Sequence, residues 1–141
     1  MKLDIMGLQF DNVTMDEAAA RAEKILAGEK TCYVVTPNAE IAYEALHDEK
    51  LRALINDADL VLPDGAGVVL ASKILKTPLK QKVAGVDFAD GLLGLLAESG
   101  RSVYLLGSKP GVAELAAEKM REKHPGLIIC GMHDGYFKDE A

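Results

Sequence analysis

From residue 31 onward, short apolar runs alternate with segments of helical periodicity, and this alternation is the strongest constraint on the fold. Runs of apolar and β-branched residues at 31–36, 60–62, 102–106 and 127–130 predict strands, and the segments between them predict helices. Strands separated by helices pair in parallel, because each helix returns the chain to the same end of the sheet. The sequence therefore predicts a Rossmann-like α/β fold, with a largely parallel sheet and helices on both faces.

The N-terminal region predicts a small addition to this fold. Residues 3–10 alternate loosely between apolar and polar side chains and predict one strand or a short hairpin around Gly7. Thr14 and Glu17 have the spacing of a capping box, which predicts a helix that Gly28 ends. Because no repeat, low-complexity segment or linker interrupts the chain, we expect a single domain over residues 1–141.

Composition excludes several classes of protein. The formal net charge of -6 leaves no global basic field, so the sequence predicts no nucleic-acid partner. The early Asp4 and the lack of a long apolar run argue against a signal peptide and a membrane span, so a cytoplasmic location is expected. Cys32 and Cys130 lie in apolar runs, so we expect them to be small core residues of buried strands. No spacing of cysteines or histidines indicates a metal site.

An acidic residue stands where a strongly apolar run ends. Leu60–Leu62 predict a buried strand, Pro63 stops it, and Gly65 allows a tight turn before a helix. Asp64 therefore lies at the carboxyl end of a strand, where open α/β sheets bind their ligands. The alternative is that Asp64 only caps the helix that follows.

Four predicted turns follow predicted strands and contain polar or glycine-rich residues. They are Thr36–Asn38, Pro63–Gly65, Gly107–Gly111 and His133–Gly135. In a parallel sheet all four lie along one edge, where helix N-termini offer backbone N–H groups that suit a phosphate. Lys109 would add a positive charge. The alternative is ordinary turn chemistry, with Thr36 and Asn38 as caps, since neither the dinucleotide fingerprint nor the Walker A pattern is present. After the last turn, Tyr136 and Phe137 are expected to pack in the core or against a loop.

Taken together, a set of motifs carries more information than any one of them. In chain order they are Thr36-Pro37-Asn38-Ala39-Glu40, Leu62-Pro63-Asp64-Gly65-Ala66-Gly67, Val83-Ala84-Gly85-Val86-Asp87, Leu105-Leu106-Gly107-Ser108 and Gly135-Tyr136-Phe137. This set resembles the WecG/TagA/CpsF family of bacterial glycosyltransferases over essentially the whole chain. The resemblance is strongest to the branch that transfers N-acetylmannosamine from UDP to undecaprenyl-diphosphate-linked N-acetylglucosamine, in wall teichoic acid linkage-unit synthesis.

The resemblance implies roles for individual residues. Asp64 matches the family's candidate catalytic base, and Thr36 and Asn38 match its polar pair near the substrate sugars. Lys82 stands where many relatives have arginine, so it keeps the charge without the bidentate fork. The residues expected to bind substrate are Thr36, Asn38, Gly65, Lys82, Gly85, Gly107, Ser108, Lys109, Asp134 and Tyr136.

The resemblance also implies an inverting transfer without a metal or other cofactor, a UDP-sugar donor, a lipid-diphosphate-linked acceptor and a homo-oligomer. Family chains continue beyond the Gly-Tyr-Phe motif, so this chain is interpreted as a C-terminally truncated core. The missing segment would contact the membrane surface, with the full protein peripheral at the inner face of the cell membrane. The alternatives are a UDP-sugar-binding module without transfer activity, a relative that uses UDP-N-acetylmannosaminuronic acid or another UDP-hexose, and a non-enzymatic α/β assembly protein.

Overall fold

The computed structural model describes residues 1–138, in which six strands and six helices follow one another. Their bounds are β1 Lys2–Ile5, β2 Leu8–Asp11, α1 Met15–Ala27, β3 Val34–Val35, α2 Ala39–His47, α3 Glu49–Asn56, β4 Leu60–Val61, α4 Ala66–Ile74, α5 Gly85–Ser99, β5 Ser102–Leu106, α6 Val112–Lys123 and β6 Ile128–His133. The chain divides into two compact units, Met1–Ala89 and Asp90–Ala141, and the boundary falls within α5.

The predicted α/β class, the parallel pairing and the N-terminal hairpin are confirmed. β3 pairs in parallel with β4, β5 pairs in parallel with β6, and β1 pairs antiparallel with β2. Within residues 1–138 these pairs form three two-stranded sheets, so one large sheet is not present there. One physical reason lies in β4, where the N–H of Val61 donates to the Asp11 carboxylate (2.9 Å) and not to the backbone of another strand.

The β1–β2 hairpin contributes to the hydrophobic core of the first unit. Met6 and Gly7 both have positive φ angles (57° and 82°), which gives the tight turn that joins β1 to β2. Ile5, Leu8 and Phe10 are fully buried, and they belong to one core cluster with apolar side chains of α2, α3, α4 and β4. This cluster anchors the short strands β3 and β4, whose ends carry the candidate site.

Asp11, at the end of β2, is a buried charge in the first unit. Its side chain is 2% exposed, and it accepts hydrogen bonds from Arg21 of α1 (2.6 Å) and from the N–H of Val61 (2.9 Å). A buried carboxylate is tolerated when it is paired and hydrogen-bonded in this way. Asp11 therefore ties the hairpin to both α1 and β4.

The predicted capping box at the start of α1 is confirmed. The Thr14 hydroxyl accepts from the N–H of Glu17 (3.2 Å), and the Glu17 carboxylate accepts from the N–H of Thr14 (2.9 Å). Lys80 also donates to this carboxylate, at 2.9 Å. The hydrogen bond from Thr14, followed by that from Lys80, lowers the pKa of Glu17 below its ordinary value of 4.5.

This lowered pKa predicts a pH dependence of stability. A carboxylate whose pKa is lowered by folding stabilises the fold above its unfolded pKa, and that contribution is lost as pH falls through the lowered value. We expect Glu17→Gln to be less stable than the wild-type chain at neutral pH, and the difference to close below pH 4.5. Urea unfolding across a pH series measures this. A gap in unfolding free energy that stays constant with pH would contradict the prediction.

The second unit contains most of α5 with β5, α6 and β6. Ala113 and Ala117 of α6 are buried, whereas Tyr104 and Leu106 on β5 are exposed. The Tyr104 ring lies over Gly131 of β6, where an added β-carbon would stand 2.5 Å from the ring. His124 and Lys123 at the end of α6 contact Asp90 of α5 at 2.9 and 2.7 Å.

Three expectations from the sequence are wrong: the residue at which the last turn begins, and the burial of each of the two cysteines. β6 continues to His133, so the last turn begins one residue later than predicted. Cys130 is exposed on β6, and Cys32 is half-buried and precedes β3, so neither is a core residue of a buried strand. Short strands with one open face leave such side chains accessible even within apolar runs.

Candidate functional site

In the first unit, the carboxyl ends of two neighbouring parallel strands bring four of the predicted site residues together. Val35 of β3 is in register with Val61 of β4, and Thr36 and Asn38 follow the first strand as Asp64 and Gly65 follow the second. A β-carbon on Gly65 would lie 3.9 Å from the Cβ atom of Asn38. The predicted meeting of these two turns is confirmed.

Asp64 does not cap the helix that follows it. The N-cap of α4 is Gly65, with φ at 91° and no side-chain hydrogen bond to the first turn. Asp64 is half-buried, and its carboxylate accepts no hydrogen bond and joins no ion pair among residues 1–138. The capping alternative is therefore wrong, and the carboxylate is available to a ligand.

Asn38 is a cap, as the alternative interpretation held. Its Oδ1 accepts from the N–H of Ile41 (3.0 Å) at the start of α2. Its side-chain amide group donates no hydrogen bond within the described part of the chain, and the residue is exposed. Asn38 can therefore cap α2 and still offer two N–H donors to a substrate.

Gly85, the first residue of α5, packs against the same cluster. A β-carbon there would lie 2.9 Å from Thr36 Oγ1 and 3.1 Å from Asp64 Oδ2. Gly67 of α4 similarly approaches Ala39 of α2, with 2.9 Å between its β-carbon position and the Ala39 Cβ atom. The starts of α2, α4 and α5 thus lie around Thr36 and Asp64, and their N–H groups and dipoles favour an anion.

The effect of adding a side chain at position 85 on the free energy of unfolding should be measurable. We expect Gly85→Ala to lower the free energy of unfolding by about 1–2 kcal/mol, because the methyl group must displace Thr36 and Asp64. Gly91→Ala in the same helix is the matched control, since its β-carbon would meet no atom within 4 Å. That substitution should stabilise the chain by about 0.5–1 kcal/mol. Equal effects of the two substitutions in urea unfolding would contradict the steric argument.

Lys82 lies on the connector between α4 and α5 and is exposed. It forms no hydrogen bond or ion pair with any other residue in 1–138. The next residue, Val83, is fully buried and its N–H donates to the carbonyl of Pro63 (2.9 Å), directly before Asp64. The connector therefore runs beside the Asp64 turn.

The remaining predicted residues form a second group in the second unit. The N–H of Gly107 donates to the carbonyl of His133 (2.9 Å), and the N–H of Gly135 donates to the carbonyl of Ser108 (2.8 Å). Asp134 Oδ1 accepts from the N–H of Tyr136 (2.7 Å), which fixes the last turn. The turns after β5 and β6 therefore meet, as predicted, and Gly107 and Ser108 border a cavity of about 370 Å³.

Lys109 and the aromatic residues are open to solvent. Lys109 is exposed and its side chain has no partner among the described residues. Tyr136 and Phe137 are 71% and 55% exposed, so neither packs in the core, which is one of the two arrangements expected for them. Phe137 contacts the His133 ring edge-on, with centroids 6.2 Å apart. Both aromatic side chains are therefore exposed to solvent within this unit.

Sequence reasoning missed two features of the first unit. The Gly85-Val86-Asp87 turn predicts Asp87 as the N-cap of α5, and this prediction is wrong because the helix begins at Gly85 and Asp87 lies in its first turn. Gly67 is expected to let the backbone turn tightly and approach a ligand, but its close approach is to Ala39 of α2, and this contact fixes where two helices start. The glycine spacing in residues 62–67 is the one sequence signal that indicated such an approach.

Within residues 1–138, none of the helices has the length and apolarity needed to cross a membrane.

These features define an α/β protein with an unengaged carboxylate and helix N-termini at the carboxyl ends of its strands. Residues 3–141 match the model of the "Glycosyl transferase WecG/TagA/CpsF family", and the chain belongs to that family.

Two relatives show how much of a family protein this chain represents. A Bacillus spizizenii W23 protein is 36% identical over 111 residues, which are 79% of this chain and 43% of the relative. A Staphylococcus aureus NCTC 8325 protein is 34% identical over 137 residues, which are 96% of this chain and 54% of the relative. Both are named N-acetylglucosaminyldiphosphoundecaprenol N-acetyl-beta-D-mannosaminyltransferase. The chain spans about half the length of these relatives.

Proposed function

We propose that the chain is the catalytic core of an inverting glycosyltransferase that moves N-acetylmannosamine from UDP to undecaprenyl-diphosphate-linked N-acetylglucosamine. The observation that carries the proposal is the Asp64 carboxylate, which has no partner in the described chain and lies where the turns after β3 and β4 meet. The names of the two relatives support the acceptor and the sugar.

The chemistry requires a base and stabilisation of a leaving group. The acceptor hydroxyl must lose a proton as it attacks the anomeric carbon, and Asp64 takes that proton as general base. Thr36 and Asn38 hydrogen-bond the sugars. The bond from the anomeric carbon to the UDP oxygen breaks, and the starts of α2, α4 and α5 stabilise the charge that develops on the diphosphate. Lys82 adds a point charge to the same diphosphate, and this scheme uses no metal ion or other cofactor.

In the second unit, the proposed substrate residues lie in the turns after β5 and β6. Gly107 and Ser108 let a ligand approach the backbone, and Lys109, Asp134 and Tyr136 offer a cation, a carboxylate and an aromatic face. The three strand pairs would belong to a Rossmann-like arrangement in a single core domain. The exposed apolar side chains of Tyr43 on α2 and Ile74 on α4 support self-association. The lipid-linked acceptor would place the protein peripherally at the inner face of the cell membrane.

A second candidate is a UDP-sugar-binding module without transfer activity. Such a module would keep the turns after β3, β4, β5 and β6 and would tolerate the loss of Asp64. Donors with a different sugar, such as UDP-N-acetylmannosaminuronic acid, remain alternatives within the first proposal.

The test is release of UDP from UDP-N-acetylmannosamine in the presence of a short-chain lipid-diphosphate-N-acetylglucosamine. The chain is compared with a form lengthened to match the relatives, and UDP-N-acetylmannosaminuronic acid and UDP-N-acetylglucosamine serve as control donors. Acceptor-dependent turnover with the first donor supports the proposal. UDP binding without turnover in either form would favour the binding module, and the absence of both would contradict the two candidates.

A further inference from the structure

The connector between α4 and α5, residues 79–83, is fixed at both ends, and we refer to it as the strap. At one end, Leu79 is buried and its N–H donates to Ser72 Oγ (3.1 Å). At the other, Val83 is fully buried and its N–H donates to the carbonyl of Pro63 (2.9 Å). The strap is therefore attached to α4 and to the turn that carries the candidate base.

Residues 12–17, which lead into and begin α1, hold the middle of the strap. The N–H of Lys80 donates to Asn12 Oδ1 (2.8 Å), and the Lys80 ammonium donates to Glu17 (2.9 Å). The side-chain carbonyl of Gln81 accepts from the N–H of Met15 (3.1 Å), one of the first N–H groups of α1. These contacts join parts of the chain that are 63 to 68 residues apart.

Lys82 is the exception on this strap. Residues 79, 80, 81 and 83 each make a hydrogen bond to another part of the unit, whereas Lys82 makes none among residues 1–138. Surface loops that carry an unengaged lysine are ordinarily mobile. Here Val83 is held through its backbone N–H and Gln81 through its side chain, so fewer conformations of the segment remain to be lost when the Lys82 ammonium binds an anion.

We propose that Asn12 and Gln81 are positioning residues, which hold the strap so that Lys82 meets the diphosphate of the donor. The inference rests on the proposed function, because that function supplies the diphosphate. Asn12 and Gln81 touch neither substrate nor reacting atoms, and they act through Lys82. The start of α1 is thereby part of the donor site, although it lies far from the site motifs in the sequence.

The experiment measures UDP binding to the chain by calorimetry. We expect Gln81→Ala and Asn12→Ala to weaken the Kd for UDP by about two- to tenfold, since the strap must then be ordered on binding. Asn12→Asp keeps an oxygen acceptor for the Lys80 N–H and should bind like the wild-type chain. Gln9→Ala is the matched glutamine control, because its hydrogen bond to Asp4 lies in the hairpin.

A second comparison separates positioning from a merely structural role. In a Lys82→Ala background, Gln81→Ala should leave the Kd for UDP unchanged, because the residue through which it acts is gone. Equal weakening with and without Lys82, or no weakening in the wild-type background, would overturn the inference and leave the proposed function standing. Failure of the wild-type chain to bind UDP would instead count against the proposed function, and the inference would fall with it.

Discussion

Replacing Asp64 by asparagine is expected to slow sugar transfer by about 10²- to 10⁴-fold and to leave UDP binding intact. Asparagine has nearly the same shape but cannot accept the proton that the acceptor hydroxyl loses. Because the Asp64 side chain has no partner among residues 1–138, the substitution breaks no hydrogen bond that holds the fold. The effect should therefore appear in kcat, with the KM for the donor little changed. The measurement is UDP release at saturating donor, on the form lengthened to match the relatives.

Asp87→Asn is the matched control for this prediction. Asp87 is exposed in the first turn of α5, and its side chain makes no hydrogen bond or ion pair in the described part of the chain. This control variant also removes one negative charge from the first unit, and it should transfer sugar at the wild-type rate. If Asp64→Asn were as fast as wild type, Asp64 would not be the base. If both variants lost activity equally, net charge would be responsible and not the position of the carboxylate.

The largest expected effect on stability comes from Asp11. We expect Asp11→Ala to lower the free energy of unfolding by about 2–4 kcal/mol, because it leaves the buried N–H of Val61 without an acceptor and removes the partner of Arg21. Arg21 is 41% exposed and can be solvated, so the value should lie below that of a fully buried ion pair. Urea unfolding of the chain measures this loss.

Two further substitutions separate the loss of the hydrogen-bond acceptor from the loss of the charge. Asp11→Asn keeps an oxygen acceptor for the N–H of Val61 but removes the charge, so its loss of stability should be smaller than that of Asp11→Ala. Glu23→Ala on α1 is the control, because Glu23 is exposed and its side chain forms no hydrogen bond or ion pair within residues 1–138. A loss for Asp11→Ala no larger than that for Glu23→Ala would show that the pair does not tie the hairpin to the rest of the unit.

Local chemistry explains which features could be predicted from the sequence. Thr14 and Glu17 are three residues apart, so the capping box is visible in the sequence, and the hairpin turn at Gly7 is equally local. The strand-end position of Asp64 follows from the apolar run and proline before it. These predictions depend on residues within a few positions of each other, where backbone geometry alone decides the outcome.

Contacts between distant residues could not be predicted in the same way. Nothing near Gly85 in the sequence indicates that its missing side chain makes room for Thr36 and Asp64. The hydrogen bond from Lys80 to Asn12 spans 68 residues, and that from Val61 to Asp11 spans 50. Neither asparagine nor aspartate carries a local signal for such a partner. The short β4 has the same kind of cause, because the Asp11 side chain accepts the Val61 N–H, which the apolar pattern assigns to a sheet.

The Tyr104 ring that lies over Gly131 has an evolutionary consequence. A side chain at position 131 would occupy the space that the ring now fills, with 2.5 Å between its β-carbon and the ring. The two residues face each other in the β5–β6 register, so the ring supplies the cross-strand contact that glycine lacks. A lineage that gains a side chain at 131 is therefore expected to turn the Tyr104 ring, which is 54% exposed, out into solvent and to lose this cross-strand contact.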